Sequence, residues 1–597
     1  MIYAGLMHFN ETTDKAFDLE SIVASYAQTP PTVVRQNSLT LCYGKLSTEH
    51  DMDEIWENNS SLLMGRIFDK ERHCAFSKQD FKNLYSLNKE EALAKVWGKY
   101  VYIHANESAS QFDIVVDSTG QLPFFYYVLA NGNVLFASDI QLIFKLLRHK
   151  PEINWTYMCS YLVYGGSSAV QTPFRNIYEI PPACSLKITK NERETKPFWN
   201  PLRSYKTTRS EGEDAVSVLQ ETLKPWIEPY KNICVSLSGG LDSSSLVYCL
   251  KNIKREDQNL SALNYFHSHV KSSNELVHAQ KVCKETGIDL IEIDASNSLP
   301  FDPCSVKSPL NPNKPFPGLI SLKWLETILD NIPLDSSCLF LSGHGSDHIF
   351  MRPPSKKSLA DYILEKGFKG FKEQLKNLTQ FYRDPIFSIL KENSLSLSSY
   401  LFSQRCGKRH PKNTHDKTPE WIKQVVYQQT SSNFVHPIYE ALSKKILPGK
   451  YDQIDFLYEG IASIHMEMNP ITPTAYPFLY EPVVEFALSF PIYDLFDKGY
   501  DRYPLRKAVS DRFKTETVWR RDKSQTTGIV QLGIKKNLER VLNICLEGQF
   551  VKQGLIDKEG LNETIMLISS GGIDHLWPFM HLASVEIFLN TWEQNSL

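Results

Sequence analysis

The stretch SLSGGLDSSSL, from Ser236 to Leu246, decides the fold of the region around it. It follows the apolar run 233–235 and leads into a run with helical spacing, so the pattern predicts a strand, a tight loop and a helix. Glycines and serines at the start of a helix offer N–H groups and hydroxyls to an anion, and the helix dipole adds to the attraction. We therefore expect an anion-binding loop at the end of a strand.

The loop lacks the GK[ST] letters of the Walker motif and carries Asp242 instead. A carboxylate beside phosphates is favourable only when a divalent cation lies between them. An ordinary Gly-Ser turn is the alternative for SGG alone, whereas SGGLDS after a strand is far more specific. The sequence predicts a site that holds pyrophosphate with Mg²⁺ while AMP is transferred to a carboxylate. The residues predicted to bind the nucleotide here are Ser236, Ser238, Gly239, Gly240, Asp242 and Ser243.

A second glycine-rich turn lies in LFLSGHGSDHIF, from Leu339 to Phe350. An apolar strand again runs into the turn, and glycines such as Gly343, next to Ser342, let the backbone approach a nucleotide closely. A single aspartate in a loop is usually the former of an Asx-turn. Because each of the two turns carries one aspartate, we instead predict that Asp347 and Asp242 share one Mg²⁺.

Composition limits the class of protein. At 597 residues the chain is too long for a single core, so at least two domains are expected. The net charge of −3 gives no bulk basic field that would favour a nucleic-acid partner. The chain start has neither a basic segment nor a long apolar core, and no apolar run reaches the length of a membrane span. The 11 cysteines form no CxxC pair, which favours reduced core residues and a cytoplasmic location.

The pattern of the chain changes near Arg209. Before it, alternating runs such as 112–116 and 134–137 predict a β-rich region with helices, and a polar, charged stretch that begins near Lys187 closes this region. After it, the runs predict alternating strands and helices of a doubly wound parallel sheet, which binds ligands at the carboxyl ends of its strands. The predicted elements are strands at 233–237, 260–266 and 290–293, a helix near 275–286, and mostly helix from 356 onward.

Together these motifs resemble the asparagine synthetase superfamily, in which SGGxDS is the pyrophosphate loop and SGxGxDE carries the second magnesium aspartate. The resemblance extends along the chain through VDSTGQLPFFYY, VLFASDIQLIF, YLVYGG, TPFRNIYEIPP, PFWNP, YPFLYEPVVEFAL and YDRYPLRKAV. It implies two domains. Residues 1–205 are expected to form a degenerate glutaminase-like α+β domain with an Ntn-type β-sandwich. Residues 206–597 are expected to form an α/β PP-loop synthetase domain of the adenine-nucleotide α-hydrolase type, with a helical C-terminal part.

The chain departs from the superfamily pattern at the glutaminase nucleophile. A working glutaminase of this type needs an N-terminal cysteine, but Ile2 follows Met1, and Cys42 and Cys74 lie too far along. We therefore expect that glutamine is not the nitrogen source and that the N-terminal domain survives as a scaffold and partner surface.

The half of the site that would receive the nucleophile is also changed. His344 and His348 replace acidic residues of the second motif, Pro473–Ala475 replaces the letters EAR, and Tyr480 replaces the aspartate of PFLD. The adenylating half is intact by comparison. The pattern is typical of a synthetase that activates another carboxylate and accepts another amine.

Among such relatives, GHGSDHIF followed by Pro353 and Pro354, together with YDRYPLR, most closely resembles the lasso peptide cyclases, which are macrolactam synthetases. The resemblance implies that His344 occupies the acceptor pocket, where β-lactam synthetases have a tyrosine. A histidine can orient or deprotonate an amine near neutral pH. A purely structural hydrogen-bonding role in the tight turn is the equally weighted alternative.

The third chemical element is the segment WRRDKSQTTGI, from Trp519 to Ile529. Adenylation and attack on the acyl-adenylate both develop negative charge, which a fixed cation stabilises. The superfamily carries an essential lysine after a Trp-Arg pair, and Lys523 is the lysine here that matches, although its offset differs by one residue. Arg520 and Arg521 remain possible substitutes. The small polar residues after Lys523 suggest a loop that closes on the substrate.

Further cations and aromatic residues are weaker candidates. Arg502 and Arg506 match the superfamily's cationic segment; Arg502 is the better candidate for phosphate, although either could simply pair with carboxylates. Tyr265 and Phe266 end a predicted strand where the superfamily places its adenine contact, but core packing is the more common role of such residues. The basic segment 403–417 is either a solvated insertion or one wall of a peptide entry path.

The sequence thus predicts an enzyme that uses ATP and Mg²⁺ to adenylate a peptide side-chain carboxylate and then forms an internal amide. The expected partners are a precursor core peptide as substrate, a leader-peptide protease and a leader-binding protein, with no nucleic acid and no membrane. The alternatives are a small-molecule amide or β-lactam synthetase, and an inactive scaffold for the protease. Intact Asp242, Asp347 and Lys523 disfavour the scaffold.

Overall fold

The computed structural model describes most of the chain. The described residues are 1–9, 17–36, 38–46, 52–84, 91, 93–106, 108, 110–150, 152–205, 212–270, 273–305, 310–331, 338–402, 419–442, 446–464, 473–521 and 526–594.

The N-terminal region contains two antiparallel six-stranded sheets. Its strands are β1 (Ile2–Met7), β2 (Thr32–Arg35), β3 (Leu39–Gly44), β4 (Glu54–Glu57), β5 (Ser61–Asp69), β6 (Val96–Ala105), β7 (Gln111–Val116), β8 (Phe125–Val128), β9 (Val134–Ala137), β10 (Ile177–Glu179), β11 (Cys184–Thr189) and β12 (Arg193–Pro197). The strand orders are β10-β8-β9-β1-β3-β2 and β12-β11-β7-β6-β5-β4. Alternate residues of both sheets, such as Leu41, Phe136, Val101 and Ile114, share one buried core, so the sheets form a sandwich.

The polar stretch that begins near Lys187 is more ordered than its composition indicates. Its first part forms the hairpin β11–β12, which extends the second sheet. The charged residues belong mainly to β12, the edge strand, and Arg193 and Glu194 are exposed there. Charged side chains on an edge strand discourage pairing with other chains, so their abundance is compatible with a strand.

A parallel five-stranded sheet follows. Its strands are β13 (Asn232–Ser236), β14 (Asn259–Phe266), β15 (Asp289–Asp294), β16 (Cys338–Leu341) and β17 (Thr474–Ala475), in the order β15-β14-β13-β16-β17. The three strands predicted from the apolar runs are confirmed to within one residue at each end. Val235 pairs with Leu341, so the loops that follow β13 and β16 leave the sheet side by side.

Helices flank the parallel sheet and make up most of the chain after residue 356, as the sequence predicts. The α-helices are Leu19–Ala24, Lys78–Leu84, Ile140–Leu147, Trp155–Tyr164, Ala215–Ile227, Leu241–Ile253, Leu276–Thr286, Leu322–Asn331, Ser346–Ile349, Ser358–Lys366, Phe371–Tyr382, Ile386–Phe402, Gln424–Gln428, Ile438–Ala441, Pro448–Ile464, Glu481–Ser489, Tyr503–Phe513, Thr527–Lys536, Leu538–Leu546, Gln549–Lys552, Lys558–Ser569 and Leu576–Gln594. Within the described residues, no helix combines the length and the apolar character that crossing a bilayer requires.

The two regions pack against each other through large side chains. Trp592 of the last helix contacts Phe144 and Phe174 of the N-terminal region, with ring centroids 5.1 and 4.8 Å apart. The guanidinium of Arg66, on β5, lies over the Trp226 ring and donates to the carbonyl of Trp226 at 2.7 Å. Arg66 thereby satisfies a carbonyl at the end of the helix Ala215–Ile227, so these contacts join the sandwich to the layer that carries the parallel sheet.

Candidate active site

The two glycine-rich turns meet at the carboxyl edge of the parallel sheet. A Cβ on Gly343 would lie 2.8 Å from the backbone nitrogen of Ser243 and 3.1 Å from the carbonyl carbon of Asp242. A side chain at position 343 would therefore separate the two loops. The contact explains why glycine is needed at this point, and it joins the predicted phosphate loop to the second motif.

The loop after β13 is shaped by its own serines and glycines. Gly239 has φ +73°, and a Cβ there would lie 2.6 Å from the backbone nitrogen of Ala279. The Ser243 hydroxyl accepts from the backbone N–H of Ser238 at 3.2 Å, and the Ser238 hydroxyl accepts from that of Gly240 at 3.3 Å. The helix Leu241–Ile253 starts directly after this turn, and the N–H groups of a first helical turn have no partner within the helix. The local geometry suits an anion.

Arg502 lies against the phosphate loop. Its Nη1 donates to both carboxylate oxygens of Asp242, at 2.5 and 2.7 Å. The Arg502 residue is only 1% exposed and has φ 49°, in the left-handed region, immediately before the helix Tyr503–Phe513. A buried arginine in such a backbone conformation persists only when its contacts over-determine it. The sequence therefore brings Arg502 to the predicted site, where it pairs with a carboxylate.

Asp501 organises the arginines around it. Its Oδ1 accepts from Arg502 Nε at 3.1 Å and from Arg506 Nη2 at 2.8 Å, and its Oδ2 lies 3.6 Å from Arg352 Nε. Burial alone would raise the pKa of Asp501, but the neighbouring Arg502 and Arg506 outweigh it and hold this pKa below its ordinary value. Asp501 is thus an ionised carboxylate that fixes the orientation of Arg502.

Asp347 lies at the start of the short helix Ser346–Ile349, after the glycine turn. Burial would lower the pKa of Arg502, but Asp242, Asp501 and Asp347, in that order, raise it above its ordinary value. Asp347 is therefore within electrostatic reach of the same guanidinium. Its Oδ1 also lies 3.1 Å from His348 Nδ1.

The donor set fits a magnesium ion that completes its coordination with phosphate oxygens. Mg²⁺ prefers oxygen ligands and is commonly held by one or two carboxylates together with substrate phosphates. Asp242 and Asp347 supply carboxylates of this kind, on loops that touch each other. Across the described ranges, no group of three or more His, Cys, Asp or Glu side chains forms a metal-binding cluster. Two carboxylates next to a phosphate loop are consistent with a shared metal.

Arg520 also contacts the loop. Its Nη1 donates to the carbonyl of Gly239 at 3.2 Å, and its Nη2 donates to Glu275 Oε1 at 2.7 Å. Arg521 points elsewhere: its Nη2 donates to the carbonyl of Lys498, and its guanidinium lies over the Tyr500 ring. Of the two arginine alternatives, Arg520 is the one that the structure places at the phosphate loop. Lys523 lies outside the described residues.

His344 is turned toward the helix Pro448–Ile464. Its Nε2 lies 3.0 Å from the carbonyl oxygen of Gly460, and its ring is 5.0 Å from that of His348 and 6.3 Å from that of Tyr476. A carbonyl can only accept, so this contact requires a proton on Nε2. The contact is compatible both with a purely structural role for His344 and with a role in orienting or deprotonating an amine.

Pro473–Ala475 and Tyr480, the positions at which the sequence departs from the superfamily pattern, take part in the packing next to the second glycine-rich turn. Pro473–Ala475 contributes the edge strand β17, and Ser342 donates its backbone N–H to the Ala475 carbonyl at 3.1 Å. Tyr480 is fully buried; it stacks on Trp226 at 4.9 Å and donates its hydroxyl to Gln121 Oε1 at 3.0 Å. Tyr480 is therefore part of the aromatic packing at the boundary with the sandwich.

The remaining predicted residues lie along the same edge of the sheet. Ser236 ends β13, and Phe266 ends β14, the adjacent strand. The Tyr265 hydroxyl donates to the carbonyl of Ser298 at 3.4 Å, and its ring packs 4.8 Å from Trp324. These contacts commit Tyr265 to the packing around the strand end, and an adenine contact for the pair stays a prediction.

Sequence reasoning missed two carboxylates that hold the arginines, Asp501 and Glu275. Asp501 precedes Arg502 in YDRYPLR, and an acid next to a buried arginine is a signal that local reading can find. Glu275 stands 245 residues before Arg520, so nothing local connects the two. The basic segment 403–417 lies outside the described residues.

Comparison with known proteins locates the chain among them. The family model described as asparagine synthase matches residues 217–594, and the model described as glutamine amidotransferase domain matches residues 81–199. The chain is 24% identical over 342 residues to the Microcin J25-processing protein McjC of Escherichia coli. That match covers 56% of this chain and 55% of McjC, so it spans about half the length of the curated relative.

Two solved structures are also similar to parts of the chain. The U34-tRNA thiolase NcsA from Methanococcus maripaludis has a TM-score of 0.19 at 17% identity, over 43% of this chain and 80% of its own. The glutamine phosphoribosylpyrophosphate amidotransferase from B. subtilis has a TM-score of 0.19 at 9% identity, over 62% of this chain and 72% of its own. TM-scores of this size are too low to support any conclusion.

Proposed function

The chain belongs to the asparagine synthase family, and from that premise we propose that it is an ATP-dependent lasso peptide macrolactam synthetase. In this proposal it adenylates the side-chain carboxylate of an Asp or Glu in a leader-cleaved precursor peptide. The N-terminal amine of the same peptide then attacks the acyl-adenylate, which closes an isopeptide ring and releases AMP; pyrophosphate leaves in the first step.

One observation carries the proposal: the two glycine-rich turns touch, and each contributes an aspartate next to a buried arginine. This arrangement supplies what adenylation requires, namely carboxylates for a metal, backbone N–H groups for phosphates and fixed positive charge. An inactive scaffold would not be expected to keep Asp242, Asp347 and Arg502 together in a partly desolvated site.

In the proposed site, Ser238, Gly239, Gly240 and Ser243 bind the phosphates of ATP, and Asp242 and Asp347 hold Mg²⁺. The metal neutralises charge on the triphosphate and makes pyrophosphate a better leaving group. Arg520 is tied to the loop by Gly239 and Glu275, and it keeps positive charge next to the reacting phosphate. Lys523, three residues further on, is proposed to stabilise the tetrahedral oxyanion during ring closure.

The acceptor side of the proposal rests on His344. The contact between Nε2 and the Gly460 carbonyl orients the ring, and in the neutral imidazole Nδ1 would be the atom that takes a proton from the attacking amine. The match to the Microcin J25-processing protein supports a peptide as the substrate.

The remaining parts of the proposal concern the surroundings of the enzyme. The N-terminal domain, residues 1–205, has no glutaminase activity and acts as a scaffold for residues 206–597. A leader-peptide protease and a leader-binding protein deliver the core peptide in the cytoplasm. A synthetase of small-molecule amides or β-lactams is the nearest rival, since it would use the same adenylating half.

Mass spectrometry tests the proposal. A leader-cleaved core peptide, incubated with the enzyme, ATP and Mg²⁺, should lose the mass of one water while AMP accumulates in equal amount. The Asp242→Asn enzyme is the control for reagent-driven cyclisation. Formation of asparagine from aspartate and ammonia, or of ADP in place of AMP, would show that the proposed reaction is wrong.

A further inference from the structure

Arg502 and Asp242 form a close ion pair at the candidate nucleotide site. One nitrogen of the guanidinium reaches both oxygens of the carboxylate, at 2.5 and 2.7 Å, so this carboxylate is already neutralised. The Arg502 side chain is 2% exposed and that of Asp242 is 18% exposed. A charge-assisted pair in such a poorly hydrated place is much stronger than a surface ion pair.

The charges around this pair balance. Among the described residues that these contacts connect, the aspartates are Asp242, Asp347 and Asp501, and the arginines are Arg352, Arg502 and Arg506. Asp501 accepts from Arg502 and Arg506 and lies near Arg352, while Asp242 and Asp347 act on Arg502. Three aspartates therefore meet three arginines within these contacts, and His348, 3.1 Å from Asp347, is a further group that can carry positive charge. A divalent cation that entered alone would add two uncompensated positive charges to a partly buried cluster, which is costly.

The ligand count leads to the same conclusion. A magnesium ion needs about six oxygen ligands, and this part of the chain offers two aspartates, one of which is held by Arg502. No larger cluster of metal-binding side chains occurs in the described ranges. A triphosphate supplies both of the things that are missing. Its oxygens can complete the coordination of the metal, and its negative charge can draw Arg502 away from Asp242.

We propose that Arg502, held by Asp501, is a built-in counter-ion that pairs with Asp242 until a nucleotide binds, so that a divalent cation binds only together with the triphosphate. The triphosphate adds more negative charge than one divalent cation removes, and it offers Arg502 an alternative partner in its phosphate oxygens. This inference rests on the proposed function, because it concerns the same nucleotide site, and it adds an order of binding.

The first experiment uses the unaltered protein. Mn²⁺, which replaces Mg²⁺ at oxygen sites and is visible by electron paramagnetic resonance, is titrated with and without a non-hydrolysable ATP analogue. We expect negligible binding of Mn²⁺ alone and binding at one site when the analogue is present. Binding of Mn²⁺ alone with an affinity similar to that of the ternary complex would overturn the inference and leave the proposed function standing. No binding even with the analogue would overturn both.

The second experiment changes the counter-ion. Arg502→Gln should allow Mn²⁺ to bind without the analogue, with an affinity at least on the order of tenfold above that of the unaltered protein, and should weaken binding of the analogue. A gain of metal binding is a result that general damage to the fold does not produce. Arg502→Lys, which keeps the charge, should still exclude Mn²⁺ alone; if it admits the metal as readily as Arg502→Gln, charge compensation is not the cause.

The matched control for the lost charge is Arg512→Gln. Arg512 lies on the helix that follows Arg502 and pairs with the half-buried Asp214 at 3.0 Å. Arg512→Gln should behave like the unaltered protein in both titrations. An equal gain of Mn²⁺ binding in Arg512→Gln and Arg502→Gln would assign the effect to overall charge and would overturn the proposal.

Discussion

The proposed phosphate side and the proposed acceptor side of the parallel sheet are built by opposite means. On the phosphate side, Asp242, Arg502 and Asp501 form a chain of ion pairs in which every charge has a partner at short range. On the acceptor side, His344 contacts a backbone carbonyl and Tyr480 fills buried space beside the sandwich. Adenylation always needs the same charges, whereas the acceptor varies with the substrate. In the proposed reaction the charged half serves adenylation, and the half around His344 and Tyr480 is expected to set the choice of substrate.

The most damaging changes should be those of the two aspartates. Asp242→Asn and Asp347→Asn each remove a metal ligand charge with little change in shape, so each should lower turnover by about a thousandfold or more. The measurement is AMP formation with the core peptide, and circular dichroism checks that the fold is retained. Turnover near that of the unaltered enzyme in either variant, or activity in EDTA, would remove the basis for treating the two turns as one site.

Lys523 should come next. If it stabilises charge that develops only in the transition state, Lys523→Ala should lower turnover by about a hundredfold or more while ATP binding changes far less. Single-turnover kinetics and a nucleotide-binding titration separate the two quantities. An equal loss in both would make Lys523 a ground-state phosphate ligand and would leave Arg520 as the candidate cation.

His344 tests the acceptor side on its own. His344→Ala should slow ring closure by about tenfold or more and leave exchange of pyrophosphate into ATP almost unchanged, because exchange reports adenylation alone. His344→Gln, which can still donate to the Gly460 carbonyl, separates the two roles. If His344→Gln closes the ring as fast as the unaltered enzyme, His344 is a positioning residue. If His344→Gln is as slow as His344→Ala, the result supports proton transfer.

Glu275 should have a smaller effect, because it acts through Arg520. Glu275→Gln keeps a hydrogen-bonding side chain but removes the charge that orients the guanidinium, so the KM for ATP should rise by about three- to tenfold, with turnover less affected. Glu228→Gln, a carboxylate at the end of the helix Ala215–Ile227, is the control. If Glu275→Gln has no effect on the KM for ATP, Arg520 does not depend on this partner.

The smallest expected effect is none at all. Glutamine should yield no glutamate above the level of an enzyme-free reaction, because Ile2, the first residue of β1, carries no nucleophilic group. Ammonium salts should likewise give no asparagine. Measurable glutamine hydrolysis would mean that another nucleophile has taken over in the sandwich, and the N-terminal region would then be more than a scaffold.

The family assignment from the sequence is confirmed. It was possible because SGGLDS and GHGSD are contiguous patterns, which can be recognised in one sequence without an alignment. The strands that carry them were predicted closely, since each is a short apolar run ending in a glycine turn. What the sequence could not supply is long-range pairing. Arg502 meets Asp242 across 260 residues and Arg520 meets Glu275 across 245, and neither partner is implied by local spacing.

The polar stretch after Lys187 shows a second limit of sequence reasoning. Charged composition indicates exposure, but exposure is shared by linkers and edge strands, so composition alone does not distinguish them. His344 shows a third limit: its residue type permits both base and structural roles, and only the direction of Nε2 toward Gly460 restricts the tautomer.

An isotope experiment tests the central claim most directly. A core peptide whose reacting Asp or Glu side-chain carboxyl carries ¹⁸O is cyclised with unlabelled ATP, and the mass of the AMP is measured by mass spectrometry. If the carboxylate attacks the α-phosphorus and the amine then displaces AMP, one labelled oxygen passes from the peptide to AMP, and the pyrophosphate stays unlabelled. Unlabelled AMP, or label in a phosphate released with ADP, would contradict an acyl-adenylate and with it the proposed reaction.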